Sequence, residues 1–161
     1  AGGLGWPGAI TNADLPFSMQ VDYVRVYSIP AFDNGGFETN VLAPWTTWGT
    51  TSIASTDART GTKAIKATGA ETAAEQILVG LTPNTSYKFS GYAKVAAAGQ
   101  SVSIGVKDFG GSSIAASVSS TSYTPASVTF TTGPTNTSAT VYFYKYAAGT
   151  AFGDDFTLEQ L

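Results

Sequence analysis

The stretch Thr140-Val141-Tyr142-Phe143-Tyr144-Lys145-Tyr146 decides the fold class, because two kinds of side chain alternate along it. Successive side chains of a β-strand point to opposite faces of the sheet. Val141 and Phe143 therefore share one face, and the three tyrosines share the other. Apolar residues on one face and a tyrosine row on the other indicate a half-buried antiparallel strand. Same-face neighbours lie about 6.6 Å apart, so the row spans about 13 Å.

Further short strand patterns follow one another along the chain. Turn-forming residues separate them at intervals of about 8–12 residues, as in Thr82-Pro83-Asn84-Thr85 and Gly133-Pro134-Thr135-Asn136. No useful length of sequence repeats apolar residues with a helical period. The sequence therefore predicts an all-β sandwich with almost no helix. The predicted strands are residues 64–68, 74–80, 86–96, 101–107, 113–118, 126–132, 139–146 and 154–158.

The chain divides into two unequal parts at about residue 30. Residues 1–29 hold a loop rich in glycine and proline and one strand pattern, from Ser18 to about Ser28. A lone strand leaves its backbone donors and acceptors without partners. We therefore expect it to pair with an edge of the sandwich or with a second copy of the chain, as a weak strand-mediated dimer. Residues 30–161 form the sandwich.

Composition excludes several classes of function. The 161 residues include 12% charged residues and have a net charge of −3 without a basic run, which disfavours nucleic acid and anionic membranes as partners. No apolar stretch is long enough to span a membrane. Cysteine and histidine are both absent, which excludes thiolate metal sites and the usual nucleophile–histidine pairs. The low charge and the wealth of Gly, Ser, Thr and Ala predict a secreted protein, and the first residues indicate a processed product or a fragment.

The acidic residues do not form a catalytic pair. Glycoside cleavage requires two carboxyl groups, one on each side of the bond. Asp154 and Asp155 are adjacent, so in a strand their side chains would point to opposite faces. We therefore expect no enzyme activity from this chain. Lyase chemistry with tyrosine or lysine as the base is the alternative.

Alternation on two more strands adds candidates to the tyrosine row. Tyr92 and Lys94 lie opposite an apolar face in residues 86–96, and Lys107 does so in residues 101–107. If these strands are neighbours, one concave surface carries aromatic planes for sugar C–H groups and donors for hydroxyls. Trp45 and Trp48 lie in a segment that reads as a loop, and Trp48 is the one expected to be exposed. The predicted ligand-binding residues are Tyr142, Tyr144, Tyr146, Tyr92, Trp48, Lys94, Lys107 and Gln76.

A metal site has two candidate carboxylates. Glu38 follows a turn near the start of the sandwich and Asp154 lies near its end. Ca²⁺ takes about six to eight oxygen ligands from carboxylates, carbonyls and water. The residues alone allow two interpretations. Either Glu38 and Asp154 bind Ca²⁺, or Glu38 is a surface turn residue and the Asp154-Asp155 pair caps a strand.

The sandwich resembles the carbohydrate-binding modules of the family 4/9/16/22 group over residues 32–161. The motifs that carry the resemblance occur in order: Asn34-Gly35-Gly36-Phe37-Glu38, Pro44-Trp45, Thr60-Gly61-Thr62-Lys63-Ala64, Leu81-Thr82-Pro83-Asn84-Thr85-Ser86-Tyr87 and Gly153-Asp154-Asp155-Phe156-Thr157-Leu158. The resemblance implies a jelly-roll β-sandwich of two antiparallel sheets with an aromatic concave cleft. It also implies a structural Ca²⁺, for which Glu38 and Asp154 would supply side chains and Gly36 and Lys63 backbone carbonyls.

Residues 1–28 resemble the C-terminal end of a family 16 glycoside hydrolase of the laminarinase type. The similar stretches are Gly2-Gly3-Leu4-Gly5-Trp6-Pro7-Gly8 and Ser18-Met19-Gln20-Val21-Asp22-Tyr23-Val24-Arg25-Val26-Tyr27. The catalytic Glu-x-Asp-x-x-Glu strand of that family is absent from this chain. The resemblance therefore implies that a parent protein was a family 16 endo-β-1,3-glucanase, without placing its activity here.

The predicted function is that of a non-catalytic binding module. It would hold an attached glycoside hydrolase on a polysaccharide, a β-1,3-glucan such as laminarin. One alternative is alginate or another uronate polymer, because Lys88, Lys94 and Lys107 are able to pair with carboxylates. A second alternative is a structural spacer without affinity for glycans. The sequence leaves open which polysaccharide is bound, and whether at a chain end or in mid-chain.

Overall fold

A computed structural model describes residues 32–161, which form eight antiparallel strands and contain no helix. No helix able to cross a membrane is therefore found in this range. The expected all-β fold is confirmed. The strands are β1 (Thr46–Ala54), β2 (Ala64–Val79), β3 (Ser86–Val95), β4 (Val102–Lys107), β5 (Ile114–Val118), β6 (Thr124–Thr131), β7 (Ser138–Lys145) and β8 (Thr150–Gln160).

The long strand β2 joins the two layers of the fold. The strand order is β5-β4-β7-β2-β8-β3-β6, with β1 also paired to β2. Residues 72–79 of β2 pair with β7, whereas residues 65–68 pair with β8. We call β5, β4, β7 and the second half of β2 the tyrosine sheet, and β6, β3, β8 and the first half of β2 the opposite sheet. The two sheets form the sandwich that the sequence predicts.

The bend of β2 lies between the two halves. Gly69 and Glu71 both have positive φ, 103° and 51°. The Gly69 N–H donates to the Gly149 carbonyl at 2.8 Å, and the Glu71 N–H donates to the Tyr146 carbonyl at 2.9 Å. These bonds satisfy the backbone where the strand passes from β8 to β7. The sequence predicts two strands here, residues 64–68 and 74–80, and that prediction is wrong because the chain bends without breaking.

The core lies between the inner faces of the two sheets. Val141 and Phe143 of β7 are fully buried there, as alternation predicts. The Phe156 ring lies at the centre, with its centroid 5.6 Å from that of Phe89 and 5.9 Å from that of Phe143. Trp45, the tryptophan that is not expected to be exposed, is buried, and its ring centroid lies 5.6 Å from that of Phe156. The alternating faces of β3 and β4 are likewise confirmed.

Strand β1 differs from the expectation that its residues form a loop. It is rich in threonine, a β-branched residue that favours strands, but has no apolar alternation. Its register against β2 shifts between Trp48 and Thr50, and Gly49 adopts a φ of 63° at the shift. The β-bulge turns Trp48 outward, where the side chain is 49% exposed.

The predictions for residues 1–29 lie outside the described residues. These are the remnant of a family 16 glycoside hydrolase, the strand from Ser18 to Ser28 and the strand-mediated dimer.

Candidate functional site

An open groove of about 480 Å³ lies on the solvent face of the tyrosine sheet. It crosses β1, β2, β7 and β4 and reaches the residue before β5. We call it the tyrosine groove. Its lining residues are Trp48, Glu71, Ala73, Glu75, Lys107, Ser113, Tyr142 and Tyr144.

Strand register places the aromatic side chains of the groove in line across the sheet. Trp48 on β1 lies beside Ala73 on β2, and Ala73 lies beside Tyr144 on β7. The methyl group of Ala73 is the lowest point between two large aromatic side chains. Because directly opposite residues in a sheet have Cβ atoms about 5 Å apart, Trp48 and Tyr144 are about 10 Å apart across the groove.

Tyr142 lies along the sheet and forms part of the groove floor. It pairs with Gly105 on β4, and a side-chain carbon at Gly105 would collide with the tyrosine ring. The Tyr142 hydroxyl lies 3.3 Å from Ser113 Oγ and 3.4 Å from the Ile114 carbonyl oxygen. The ring therefore crosses β4 and reaches β5, presenting a face to the groove.

Tyr146 extends the tyrosine row beyond the groove. Its ring centroid lies 6.2 Å from that of Tyr144, with the planes 64° apart. Tyr146 is 70% exposed and is not among the lining residues. The three tyrosines therefore lie in a row on one face of the sheet, as predicted, and Tyr146 is at the end of the row outside the groove.

Lys107 and Glu75 form an ion pair inside the groove. Lys107 Nζ lies 2.6 Å from Glu75 Oε1 and 5.8 Å from the centre of the Trp48 ring. An ammonium has three donors, so Lys107 retains N–H groups for a bound hydroxyl. Glu75 lies beside Tyr142 in the register and is largely covered. Polar groups thus flank the aromatic floor.

Tyr92 and Lys94 lie on the opposite sheet, away from the tyrosine groove. Strand β3 pairs with β6 and β8, so β8 and β2 separate it from β7. The Arg59 guanidinium carbon lies 3.4 Å from the centre of the Tyr92 ring, and Lys94 Nζ lies 2.8 Å from an Asp57 oxygen. The expectation of one concave surface is therefore wrong for these two residues. The reason is topological, since β3 and β4 are consecutive in sequence but belong to different layers.

Gln76 also lies outside the groove, because it shares the inner face of β2 with Ala74 and Leu78. It is 3% exposed. Its Nε2 donates to the Asp33 carbonyl at 2.8 Å, and its Oε1 accepts from the Asp33 N–H at 3.0 Å. The predicted ligand-binding side chain is thus occupied in holding the start of the sandwich to β2.

The two predicted metal-binding carboxylates hold opposite ends of one connection, residues 59–63. Glu38 Oε1 accepts N–H bonds from Thr62 at 2.9 Å and Lys63 at 2.8 Å, and these bonds lower the pKa of Glu38. Asp154 Oδ2 accepts N–H bonds from Arg59 at 2.8 Å and Thr60 at 3.2 Å. Burial raises the pKa of Asp154, which has no exposed surface.

Each of these two carboxylates has one acceptor site that no described hydrogen bond uses. A carboxylate has about four acceptor sites. Glu38 uses three, with the Thr62 hydroxyl donating to Oε2 at 3.1 Å, and Asp154 uses three, with the Asp155 N–H donating to Oδ1 at 2.8 Å. Residues 32–161 contain no group of three or more acidic side chains that could hold a metal. Carbonyls, such as those predicted from Gly36 and Lys63, and water would have to complete a Ca²⁺ shell.

Several groove residues are not among those that the sequence predicts. Glu71, Ala73, Glu75 and Ser113 line the groove, and Gly105 makes room for its floor. The two faces of the second half of β2 carry similar residue types. Ala73 and Glu75 lie on one face, and Ala74 and Gln76 lie on the other. No local sequence pattern shows which of these faces is exposed, because the exposed face is determined by the pairing of β2 with β1 and β7.

Comparison with known sequences gives two matches. Residues 30–149 match a family described as carbohydrate binding domain. Over 162 residues the chain is 69% identical to the keratan-sulfate endo-1,4-beta-galactosidase of Sphingobacterium multivorum. The match covers 100% of this chain, which spans 38% of the length of that curated relative.

Comparison with solved structures gives the same architecture. TmCBM61, solved in complex with β-1,4-galactotriose, matches with a TM-score of 0.65 at 21% identity, over 83% of this chain and 100% of that one. A family 16 carbohydrate-binding module matches with a TM-score of 0.64 at 25% identity, over 78% and 96%. The xylan-binding CBM22-1 domain from Paenibacillus barcinonensis matches with a TM-score of 0.60 at 18% identity, over 78% and 91%.

Proposed function

Since the chain belongs to the carbohydrate binding domain family, we propose that its tyrosine groove binds a galactose-containing polysaccharide and so holds an attached glycosidase on its substrate. Such a module is non-catalytic and acts by effective concentration, because a tethered enzyme remains close to the polymer. The observation that carries this proposal is that Trp48, Tyr142 and Tyr144 line one open groove beside Lys107 and Ser113. An extracellular location is part of the proposal, as the sequence predicts.

The groove has the chemistry that a pyranose ring requires. One face of galactose carries several C–H groups, and aromatic planes cover such a face favourably. The hydroxyls at the ring edge then point toward Lys107, Ser113 and the carboxylates of Glu71 and Glu75. A ligand that covers so few residues gains little beyond its ordering cost, so we expect a dissociation constant between about 1 µM and 1 mM.

The choice of galactose rests on the 69% identical relative, which is named as a keratan-sulfate endo-1,4-beta-galactosidase. The name of this relative mentions neither the β-1,3-glucan that the sequence predicts as the ligand nor the family 16 glucanase that it predicts as the parent protein. The uronate alternative would require a different surface from the tyrosine groove. Lys88 and Lys94 lie on the opposite sheet, and Lys107 is already paired with Glu75.

Affinity electrophoresis of the purified chain tests the proposal. Gels contain β-1,4-galactan, keratan sulfate, laminarin, alginate or no polysaccharide. Retardation by a galactose-containing polymer supports the proposal. Retardation by laminarin alone would show that the ligand is a β-1,3-glucan, and retardation by alginate alone would show that it is a uronate polymer. Retardation by none of them would favour a spacer domain without affinity for glycans.

A structural calcium ion is a second proposal. Glu38 and Asp154 bind the same connection from two sides, and each retains an acceptor site. Oxygen donors of this kind are what Ca²⁺ takes. The ion would join the start of the sandwich, residues 59–63 and strand β8, with Gly36 and Lys63 contributing carbonyls. Its role would be stability, since the tyrosine groove contains none of these residues.

A further inference from the structure

We propose that the tyrosine groove selects unsulfated galactose units over sulfated ones, and that Glu71 is the main determinant of this preference. The inference rests on the proposed function, because it assumes that the groove binds a galactose-containing glycan. It concerns which units of such a polymer are bound.

The charges that line the groove are the first observation. Two carboxylates, Glu71 and Glu75, face a single ammonium, that of Lys107. Lys107 and Glu75 neutralise each other at 2.6 Å. Glu71 forms no ion pair with any residue between 32 and 161. Among residues 32–161, the lining of the groove therefore carries one negative charge without an ion-pair partner.

The positions of the other cations are the second observation. Lys145 follows Tyr144, but its side chain lies on the core face and is fully buried. Its Nζ donates to the carbonyl oxygens of Ala147 at 2.8 Å and Ala148 at 3.3 Å. Lys88 and Lys94 project from β3 on the opposite sheet, where Arg59 is paired with Asp155. No described cation other than Lys107 lines the groove to receive a sulfate group.

The bend of β2 sets the position of the Glu71 backbone. Glu71 is at the bend of β2 with a φ of 51°, a conformation that residues with a Cβ seldom adopt. Its N–H donates to the Tyr146 carbonyl at 2.9 Å, and it precedes Ala73 at the low point of the groove by two residues. Glu71 thus lines the end of the groove nearest Tyr146, and it is exposed there.

A sulfate ester on a sugar in this groove would lie near the Glu71 carboxylate, and the one described cation of the lining, Lys107, already pairs with Glu75. Like charges a few ångströms apart near a protein surface repel, and the repulsion weakens as salt shortens the screening length from about 10 Å at 0.1 M to about 3 Å at 1 M. We expect the native groove to bind an unsulfated polymer at least about fivefold more tightly than its sulfated form at low salt. High salt should reduce this ratio.

The test compares keratan sulfate with the same preparation after chemical desulfation, so that only the sulfate groups differ. Dissociation constants are measured by calorimetry for the native chain at low salt and in 1 M NaCl, and for Glu71→Gln and Glu71→Lys. Glu159→Gln, an exposed residue of β8 on the opposite sheet, removes the same charge away from the groove and is the matched control. Thermal unfolding verifies that each variant is folded.

The expected result is preference for the desulfated polymer in the native chain and in Glu159→Gln. Glu71→Gln should reduce the ratio of the two dissociation constants at least about twofold, and Glu71→Lys should reverse the preference. Equal or tighter binding of the sulfated polymer by the native chain would overturn the inference and leave the proposed function intact. Failure to bind either polymer would overturn both. The salt comparison tests the electrostatic origin of the preference without any substitution.

Discussion

Gly105 is the residue that gives the groove its floor. With no side chain at this position, the Tyr142 ring can lie across β4, where any larger residue would collide with it and with the Ile114 carbonyl. The ring reaches the region of Ser113 and Ile114 only because of this space. A glycine in a central strand weakens the strand, since it packs nothing itself. Its presence here is explained by the flat aromatic surface that it permits.

Removal of Tyr144 should reduce glycan binding without unfolding the protein. Tyr144 is half-buried on the solvent face of β7 and lines the groove. Tyr144→Ala removes one aromatic plane, and we expect about tenfold weaker binding of β-1,4-galactan by calorimetry.

Tyr92→Ala is the matched control for that experiment. Tyr92 is also a half-buried tyrosine of a central strand, but it lies on the opposite sheet beneath Arg59. Its removal should leave galactan binding within about twofold of the native value. Equal losses in the two variants would show that the tyrosine groove is not the binding surface.

Gln76 illustrates a polar residue whose role is structural. Gln76→Met preserves the approximate size of the side chain but leaves the N–H and carbonyl of Asp33 without their partners. Two part-buried hydrogen bonds are lost, each worth about 0.5–1.5 kcal/mol net, so we expect the free energy of unfolding to fall by about 1–3 kcal/mol. Urea unfolding measures it. A stability loss accompanied by unchanged galactan binding is expected, whereas lost binding in a stable variant would return Gln76 to the ligand site.

At the scale of elements, strands with strict alternation could be predicted and strands without it could not. On β3, β4 and β7 apolar residues occupy every second position, so burial alone assigns their faces. β1 has threonine on both faces, and β2 bends at Gly69 and Glu71, where a strand pattern breaks. Propensity and periodicity are local signals, and neither reports a bulge or a bend that distant partners stabilise.

The composition of the groove could be predicted only in part, because it depends on pairing between distant strands. Alternation was sufficient to place Tyr142 and Tyr144 on one exposed face. It was not sufficient to place β7 between β2 and β4, which brings Glu75 and Lys107 together across 32 positions of sequence. Tyr92 and Lys94 satisfy the same local pattern as Lys107 but lie on the other sheet. A local sequence pattern thus predicts which face of a strand a residue occupies, but the strand order determines which residues lie beside it.

The connection between β1 and β2 is attached to the opposite sheet by a pH-sensitive contact. Lys94 Nζ donates to Asp57 Oδ1 at 2.8 Å, and chiefly for this reason the pKa of Asp57 lies below its usual 3.8. The Tyr123 hydroxyl donates to the Asp57 carbonyl at 2.5 Å. A lowered carboxyl pKa means that the folded protein favours the charged form. Its contribution to stability is complete above the pKa of the unfolded chain and is lost as the pH falls through the folded-state pKa.

We therefore expect Asp57→Asn to destabilise the protein at neutral pH and to have little effect in acid. Because the pair is partly exposed, the difference at pH 7 should not exceed about 1 kcal/mol. Urea unfolding of both proteins from about pH 2 to pH 7 measures it. Asp108→Asn, at an exposed residue without an ion pair in the described chain, is the control. A difference that is constant over this range would exclude the contact with Lys94 as its cause.

At the scale of the whole molecule, binding and stability lie in separate places. The tyrosine groove occupies the solvent face of one sheet. The proposed calcium site joins the loop before β1, the connection from β1 to β2 and strand β8, with the Phe156 N–H donating to the Gly35 carbonyl at 3.0 Å beside it. A change at one place should therefore leave the other nearly unaffected, since distant sites without shared partners act additively.

Calcium removal provides the test of this separation. A ligand that binds only the folded state stabilises it by RT ln(1 + [L]/Kd), which is about 2.7 kcal/mol at a concentration one hundred times Kd. We expect millimolar Ca²⁺ to raise the melting temperature over that in a chelator by several degrees, on the order of 5 °C for a domain of this size. Glu38→Gln should abolish the calcium-dependent part, because a carboxamide is a weaker ligand for a hard cation. Galactan binding per folded molecule should be the same with and without the ion. Identical melting temperatures in Ca²⁺ and chelator would show that Glu38 and Asp154 act only through their hydrogen bonds to residues 59–63, as caps for one connection.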